Sequence, residues 1–220
     1  MTVVARDHLA EAVAHAHEPH SLVEQALPVH DVHSAQHVTV AAPAAVTWAA
    51  LREADLSAAP VARALGVLAT VPERVLGLIG RGSTADGAGL GLSGRPMTLA
   101  GLVEGGAWQL LGEAEGSEIV LGLVWSFPRM TSGEAVGRPF ADVHEAGYVK
   151  VAWGFSVRPL GRERSILTTE TASVATDAQT RGRFLWAWRL GGPLVALARR
   201  DMLDEVRRAA ERRAVAGPAG

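Results

Sequence analysis

Eight histidines and no cysteine bound the chemistry open to this chain of 220 residues. Seven of the histidines lie in the N-terminal stretch, and six of them crowd its residues 15–37: His15, His17, His20, His30, His33 and His37. Imidazole is a common metal ligand, so a metal site is the sharp reading of that cluster. The spacing speaks against it. His15 and His17 point to different sides of a helix, Pro19 separates His17 from His20, and no carboxylate or cysteine completes a ligand pattern. The expectation is a polar tail with no metal. Without cysteine, disulfides, thiolate nucleophiles and cysteine-ligated metals are excluded.

Two residues elsewhere are weak candidates for acid/base work. Glu170 shares strand parity with Ile166 and Val174. A carboxylate among them loses solvation, its pKa rises, and it can move protons. The plainer alternatives are pairing with an arginine such as Arg183, or a bulge that turns Glu170 outward. His144, beside Glu145, is the one histidine after His37; as a lone residue it reads as structural or as a base. Residues 89–94 spell G-x-G-x-x-G, the dinucleotide fingerprint. That pattern needs a preceding strand and a following helix, whereas here it follows STADGA and runs into Arg95-Pro96. No Walker A run or G-x-S-x-G elbow is present, and no cofactor is expected.

The elements that must position these groups are clearest toward the C-terminus. Over residues 148–157, Val149, Val151, Trp153, Phe155 and Val157 alternate onto one strand face. A break at Pro159-Leu160-Gly161 leads to a second strand over 165–174, with Ile166, Thr168, Glu170, Ala172 and Val174 opposed by Ser165, Leu167, Thr169, Thr171 and Ser173. Asp177 can cap the long amphipathic helix that follows. Gly191-Gly192-Pro193 predicts a kink or break in that helix. Beyond it Val195, Ala198, Met202 and Val206 form a stripe, and the Arg199-Arg200 pair reads as part of a solvated face. Upstream, residues 37–42 read as a short strand, Pro43 opens a helix, 54–68 continue in helical character, and 77–96 are a glycine-rich loop. Residues 107–113 and 117–127 form a hairpin turning at Glu115-Gly116, and 140–146 a further short strand. Residues 1–32 read as a peripheral extension, so that deleting 1–28 leaves the thermal midpoint nearly unchanged; the domain proper spans 33–216.

Composition fits a single large domain, with 48% hydrophobic residues in 23.0 kDa. A net charge of −2 supplies no field for nucleic acid or anionic membrane. The most apolar long window, residues 61–79, contains Arg63, Pro72, Glu73 and Arg74 and cannot span a bilayer; the N-terminus lacks an apolar signal core. A cytoplasmic protein without membrane insertion is expected, and a homodimer is left open.

Strand, helices, a run of antiparallel strands and a last long helix argue for an α+β fold. Three strings carry a resemblance: HVTVAAPAAVTWAALREADL, YVKVAWGFSVRPLGRERSILTTETASVATD, and RGRFLWAWRL with LARRDMLDEVRRAAERR. Over residues 33–213 the chain resembles the START-like helix-grip superfamily, also labelled SRPBCC or polyketide cyclase/dehydratase-like, and within it bacterial members without an assigned activity. The resemblance implies a curved antiparallel sheet wrapped on the C-terminal helix, a cavity between them, and an apolar small molecule, lipid-like or aromatic, as ligand. It also leaves open cyclase or dehydratase chemistry with Glu170 or His144 as acid/base. Trp125, Trp153, Phe155, Phe184 and Trp188 are the rings expected to line the cavity, Trp153 and Phe155 looking toward Phe184 and Trp188.

Overall fold

A computed structural model of the chain describes residues 21–58, 97–127 and 138–216. The G-x-G-x-x-G run, the glycine-rich segment 77–96 and the histidines His15, His17 and His20 lie outside the described residues. The described elements, in order, are α1 (Leu22–Ala26), β1 (Val32–Val40), α2 (Ala44–Glu53), a 3₁₀ turn (Leu56–Ala58) and α3 (Leu99–Glu104). Then come β2 (Trp108–Ala114), β3 (Glu118–Ser126), a second 3₁₀ turn (Phe140–Asp142), β4 (Tyr148–Pro159), β5 (Ser165–Ala175) and α4 (Ala178–Ala216). The five strands form one antiparallel sheet in the order β1-β5-β4-β3-β2. Strands β2 to β5 are a meander, and β1 returns beside β5. The fold is α+β, with the sheet packed against the long C-terminal helix in the helix-grip arrangement.

Alternation explains the layering. Ile119, Leu121 and Leu123 of β3, Trp153, Phe155 and Val157 of β4 and Leu167 of β5 join Leu203, Val206 and Ala210 of α4 in the main core. Leu51 of α2 and Leu99 and Leu102 of α3 close the same core. This is the inner face of the sheet. The outer face is covered too: Val23 and Leu27 pack with Val120, Val124, Phe140, Val143, Ala152 and Ala172 in a second cluster.

That second cluster corrects the sequence reading of the N-terminal extension for residues 21–27. Val23 is fully buried, and α1 is capped by Ser21 and anchored by Leu22 N–H donating to Glu118 Oε1 at 2.8 Å. Two small β4 residues, Ala152 and Gly154, let α1 approach; a Cβ on Gly154 would stand 2.4 Å from Val23 Cγ2. Residues 140–142 are a 3₁₀ turn and not a strand, because Gln109 holds the turn in place: its Oε1 accepts from Phe140 N–H at 2.9 Å, and the Phe140 ring lies over Gly122.

The last helix differs from expectation as well. It runs unbroken through Gly191-Gly192-Pro193 from Ala178 to Ala216. Proline forfeits one hydrogen bond to the carbonyl four residues back, on exposed Arg189, where water can replace it. At its start the expected cap is present. Asp177 Oδ1 accepts from Gln179 and Thr180 N–H at 2.9 and 3.0 Å, and Oδ2 accepts from Thr180 Oγ1 at 2.5 Å and from Gly147 N–H at 2.7 Å. These donors, the Thr180 hydroxyl foremost, lower the Asp177 pKa from 3.8 to about 2. A depressed folded-state value means stability that is present above pH 3.8 and lost as the pH falls toward 2. Asp177→Ala is therefore expected to melt below wild type at pH 7, with the two melting points converging between about pH 4 and pH 2. A gap that persists unchanged at pH 2 means that the carboxylate charge is not what stabilises the cap.

Candidate functional site

The sheet register sets up two unlike halves of the inner face. One row runs Ser34–Thr171–Trp153–Leu121 across β1, β5, β4 and β3, and the next runs Gln36–Thr169–Phe155–Ile119. The β3–β4 half is apolar, whereas the β5–β1 half presents hydroxyls and an amide. Some of these are satisfied within the sheet. Thr169 Oγ1 accepts from Trp153 Nε1 at 2.8 Å and donates to Gly154 O at 3.2 Å, and Ser165 Oγ bonds Thr47 Oγ1 and Ala42 O at 2.8 and 3.1 Å. Gln36 Oε1 and Thr171 Oγ1 are buried without a hydrogen-bond partner.

Helix α4 lies over this polar half. Gln36 Nε2 donates to Ala196 O at 3.0 Å, and Arg199 Nη1 donates to Ser34 Oγ at 2.5 Å. Arg199 is 7% exposed, which corrects its placement on a solvated face. Its guanidinium lies over the Trp188 ring, 5.9 Å from the centroid, a cation–π contact. Burial lowers its pKa from 12.5 to about 10, so it remains charged at neutral pH. Between helix and β1 lies a pocket of about 380 Å³ lined by Ser34, Trp188, Arg189, Gly192, Pro193, Ala196 and Arg199. Gly192 gives the Trp188 indole its room, since a Cβ there would stand 3.2 Å from Trp188 Nε1.

The expected site rings fall into two groups. Trp153 and Phe155, 4.9 Å apart between centroids, pack with Trp108 at 5.4 Å from Trp153, inside the main core. Trp125, Phe184 and Trp188 belong to a separate chain of rings: Trp125–Phe127 at 6.5 Å, Phe127–Phe184 at 6.4 Å and Phe184–Trp188 at 6.1 Å. Trp125 Nε1 is buried without a partner in that chain. Of the five, only Trp188 lines the pocket. Sequence reasoning missed Ser34, Gln36 and Arg199. The signal for Arg199 was present, since it stands four residues after Val195 and three before Met202, on the same stripe.

The acid/base candidates are elsewhere. Glu170 is on the outer face, where its Oε1 accepts from Ser21 Oγ at 3.1 Å and meets His33 Nε2 at 2.8 Å, not Arg183. Its neighbour on that face, Glu118, has its pKa raised by burial first and by the Glu170 charge in addition. His144 is exposed beside Glu145, whose ion pair with Arg138 at 2.7 Å lowers the Glu145 pKa to about 2. Among the described residues no three histidine, aspartate or glutamate side chains gather as a metal site, and no helix is long and apolar enough to cross a membrane.

No protein-family model matches the chain, and no curated protein matches it in sequence. Among solved structures it is similar to the Zhui aromatase/cyclase from Streptomyces, at 16% identity and a TM-score of 0.37 over 86% of this chain and 98% of that one. It is similar to the di-domain aromatase/cyclase BexL of the BE-7585A biosynthetic pathway at 14% identity and a TM-score of 0.38, covering 82% of this chain and 46% of that longer one. A START-superfamily protein from Mycobacterium smegmatis aligns at 15% identity and a TM-score of 0.33, over 84% and 97% of the two chains.

Proposed function

We propose that the protein binds a hydrophobic small molecule between the sheet and the C-terminal helix. The observation that carries this reading is the pocket of about 380 Å³ lined by Trp188, Pro193 and Ala196 of α4 and by Ser34 of β1. Its size is within the roughly 300–1,000 Å³ of small-molecule sites, and apolar Trp188, Pro193 and Ala196 share its lining with Ser34, Arg189 and Arg199. The START-like sequence resemblance points the same way. Cyclase or dehydratase chemistry has less support, because neither Glu170 nor His144 lines the pocket and no other carboxylate or imidazole does among the described residues.

The test is titration with N-phenyl-1-naphthylamine, a neutral apolar fluorophore. Saturable binding at micromolar Kd, with about one probe per chain and quenching of tryptophan emission, is expected. Non-saturable enhancement, or none, removes the pocket from consideration.

A further inference from the structure

Arg199 is a charged group nine-tenths buried, held by one hydroxyl and one ring face, and no carboxylate pairs with it among the described residues. Every other arginine that the structure pairs has an acid within reach: Arg52 with Glu113, Arg138 with Glu145, Arg181 with Asp31, Arg207 with Asp204, Arg208 and Arg212 with Glu205, and Arg213 with Glu53. The arginine side chains of those pairs are exposed, where the acid adds little. The buried position, where a counter-charge matters most, has none. A guanidinium carries five N–H donors, and Ser34 takes one of them. Arg199 is also part of the wall of the pocket, a space open to a small molecule. On the sheet face that carries Ser34, Thr171 stands opposite Ser34 and Gln36 two residues along β1, and Gln36 Oε1 and Thr171 Oγ1 are buried without a hydrogen-bond partner.

We propose that the pocket takes an organic monoanion, a carboxylate carried on an aromatic or otherwise apolar body, with Arg199 holding the carboxylate and Trp188 the body. This rests on the pocket reading above and adds the charge of the ligand to it. The chemistry is that of the planar fork: a guanidinium meets a carboxylate through two parallel hydrogen bonds, strongest where water is excluded. Arg189, which also lines the pocket, is exposed at its rim and serves steering rather than holding.

The experiment compares 2-naphthoate with 2-naphthamide, nearly equal in shape and differing in charge, by calorimetric titration of the full chain at pH 7. Wild type is expected to bind naphthoate at least about tenfold more tightly than the amide, the scale of one charge-assisted contact. Arg199→Met should bring the two to parity while keeping amide binding, and Arg200→Gln, at an exposed arginine outside the pocket wall, should leave the preference intact. Arg199→Lys, with the charge but not the fork, should retain part of it, and stands in for the methionine variant if that one fails to fold. Equal affinities in wild type overturn the proposal and leave the apolar pocket standing. A preference that survives in Arg199→Met, is undiminished in Arg199→Lys, or vanishes in Arg200→Gln overturns the assignment to Arg199. If wild type binds neither naphthalene, the pocket reading falls with it.

Discussion

Val23→Asp is expected to lower the thermal midpoint by roughly 10 °C. Val23 is fully buried on the outer face of the sheet, against Val120 and Ala152. The substitution forfeits about 1.5–3 kcal/mol of burial and places an unpaired carboxylate where only apolar groups are at hand. A loss of about 3–5 kcal/mol corresponds to about 2–4 °C per kcal/mol for a chain of this size. The cost has a ceiling. Where α1 undocks from the sheet instead of burying the carboxylate, the loss is the free energy of docking α1. Deleting residues 1–28 is therefore expected to cost about as much as Val23→Asp. Gly154→Ala acts through the same contact, its new Cβ standing 2.4 Å from Val23 Cγ2. Combining it with Val23→Ala should cost less than the sum of the two, a coupling that distant sites do not show. Deletion of residues 1–28 with a shift under about 2 °C restores the sequence-based view of a dispensable tail.

What made α1 hard to read is its length. Five helical residues give no periodicity, and Val23 and Leu27 are a single i,i+4 pair. The trace it leaves is on its partner. Gly154 in the middle of β4, with Ala152 beside it on the outer face, marks a close approach by something, since an internal strand glycine otherwise weakens the sheet. Strands β4 and β3 were legible because their inner faces are large and apolar. In β5 the inner face is Ser165, Leu167, Thr169, Thr171 and Ser173, as polar as a solvated one, and alternation alone cannot tell which side is covered. Glu170 was suspected on that ambiguity: the parity was right, and it is shared with the outer face. Arg199 failed for a related reason. Arginines among acids on a helix read as solvent-facing, and only the stripe through Val195 and Met202 says otherwise. Pro193 suggested a break, yet a helix can carry proline where the orphaned carbonyl faces water.

The division of the rings into two groups leads to the second large effect. Trp153→Ala is expected to cost about 3–5 kcal/mol, since it empties a core position and strands its partners. Trp153 is 8% exposed, packs at a tilt against Trp108 and Phe155, and donates from Nε1 to Thr169, whose hydroxyl would keep only Gly154 O. That amounts to roughly 6–20 °C in thermal midpoint. Binding of N-phenyl-1-naphthylamine should survive at low temperature, because Trp153 does not line the α4–β1 pocket. Trp188→Ala is expected to do the reverse. Its ring is partly exposed at the pocket wall, so stability should fall little while probe affinity falls about tenfold, the loss of one aromatic contact face. The pair of variants thus separates two arrangements that the rings alone allow. If Trp153→Ala weakens the probe tenfold with its fold intact, the ligand reaches the centre of the sheet and the rings expected from sequence share one cavity. If Trp188→Ala alone does so, the ligand is held at the edge, between β1 and the helix beside Arg199, and the aromatic centre of the sheet is packed core.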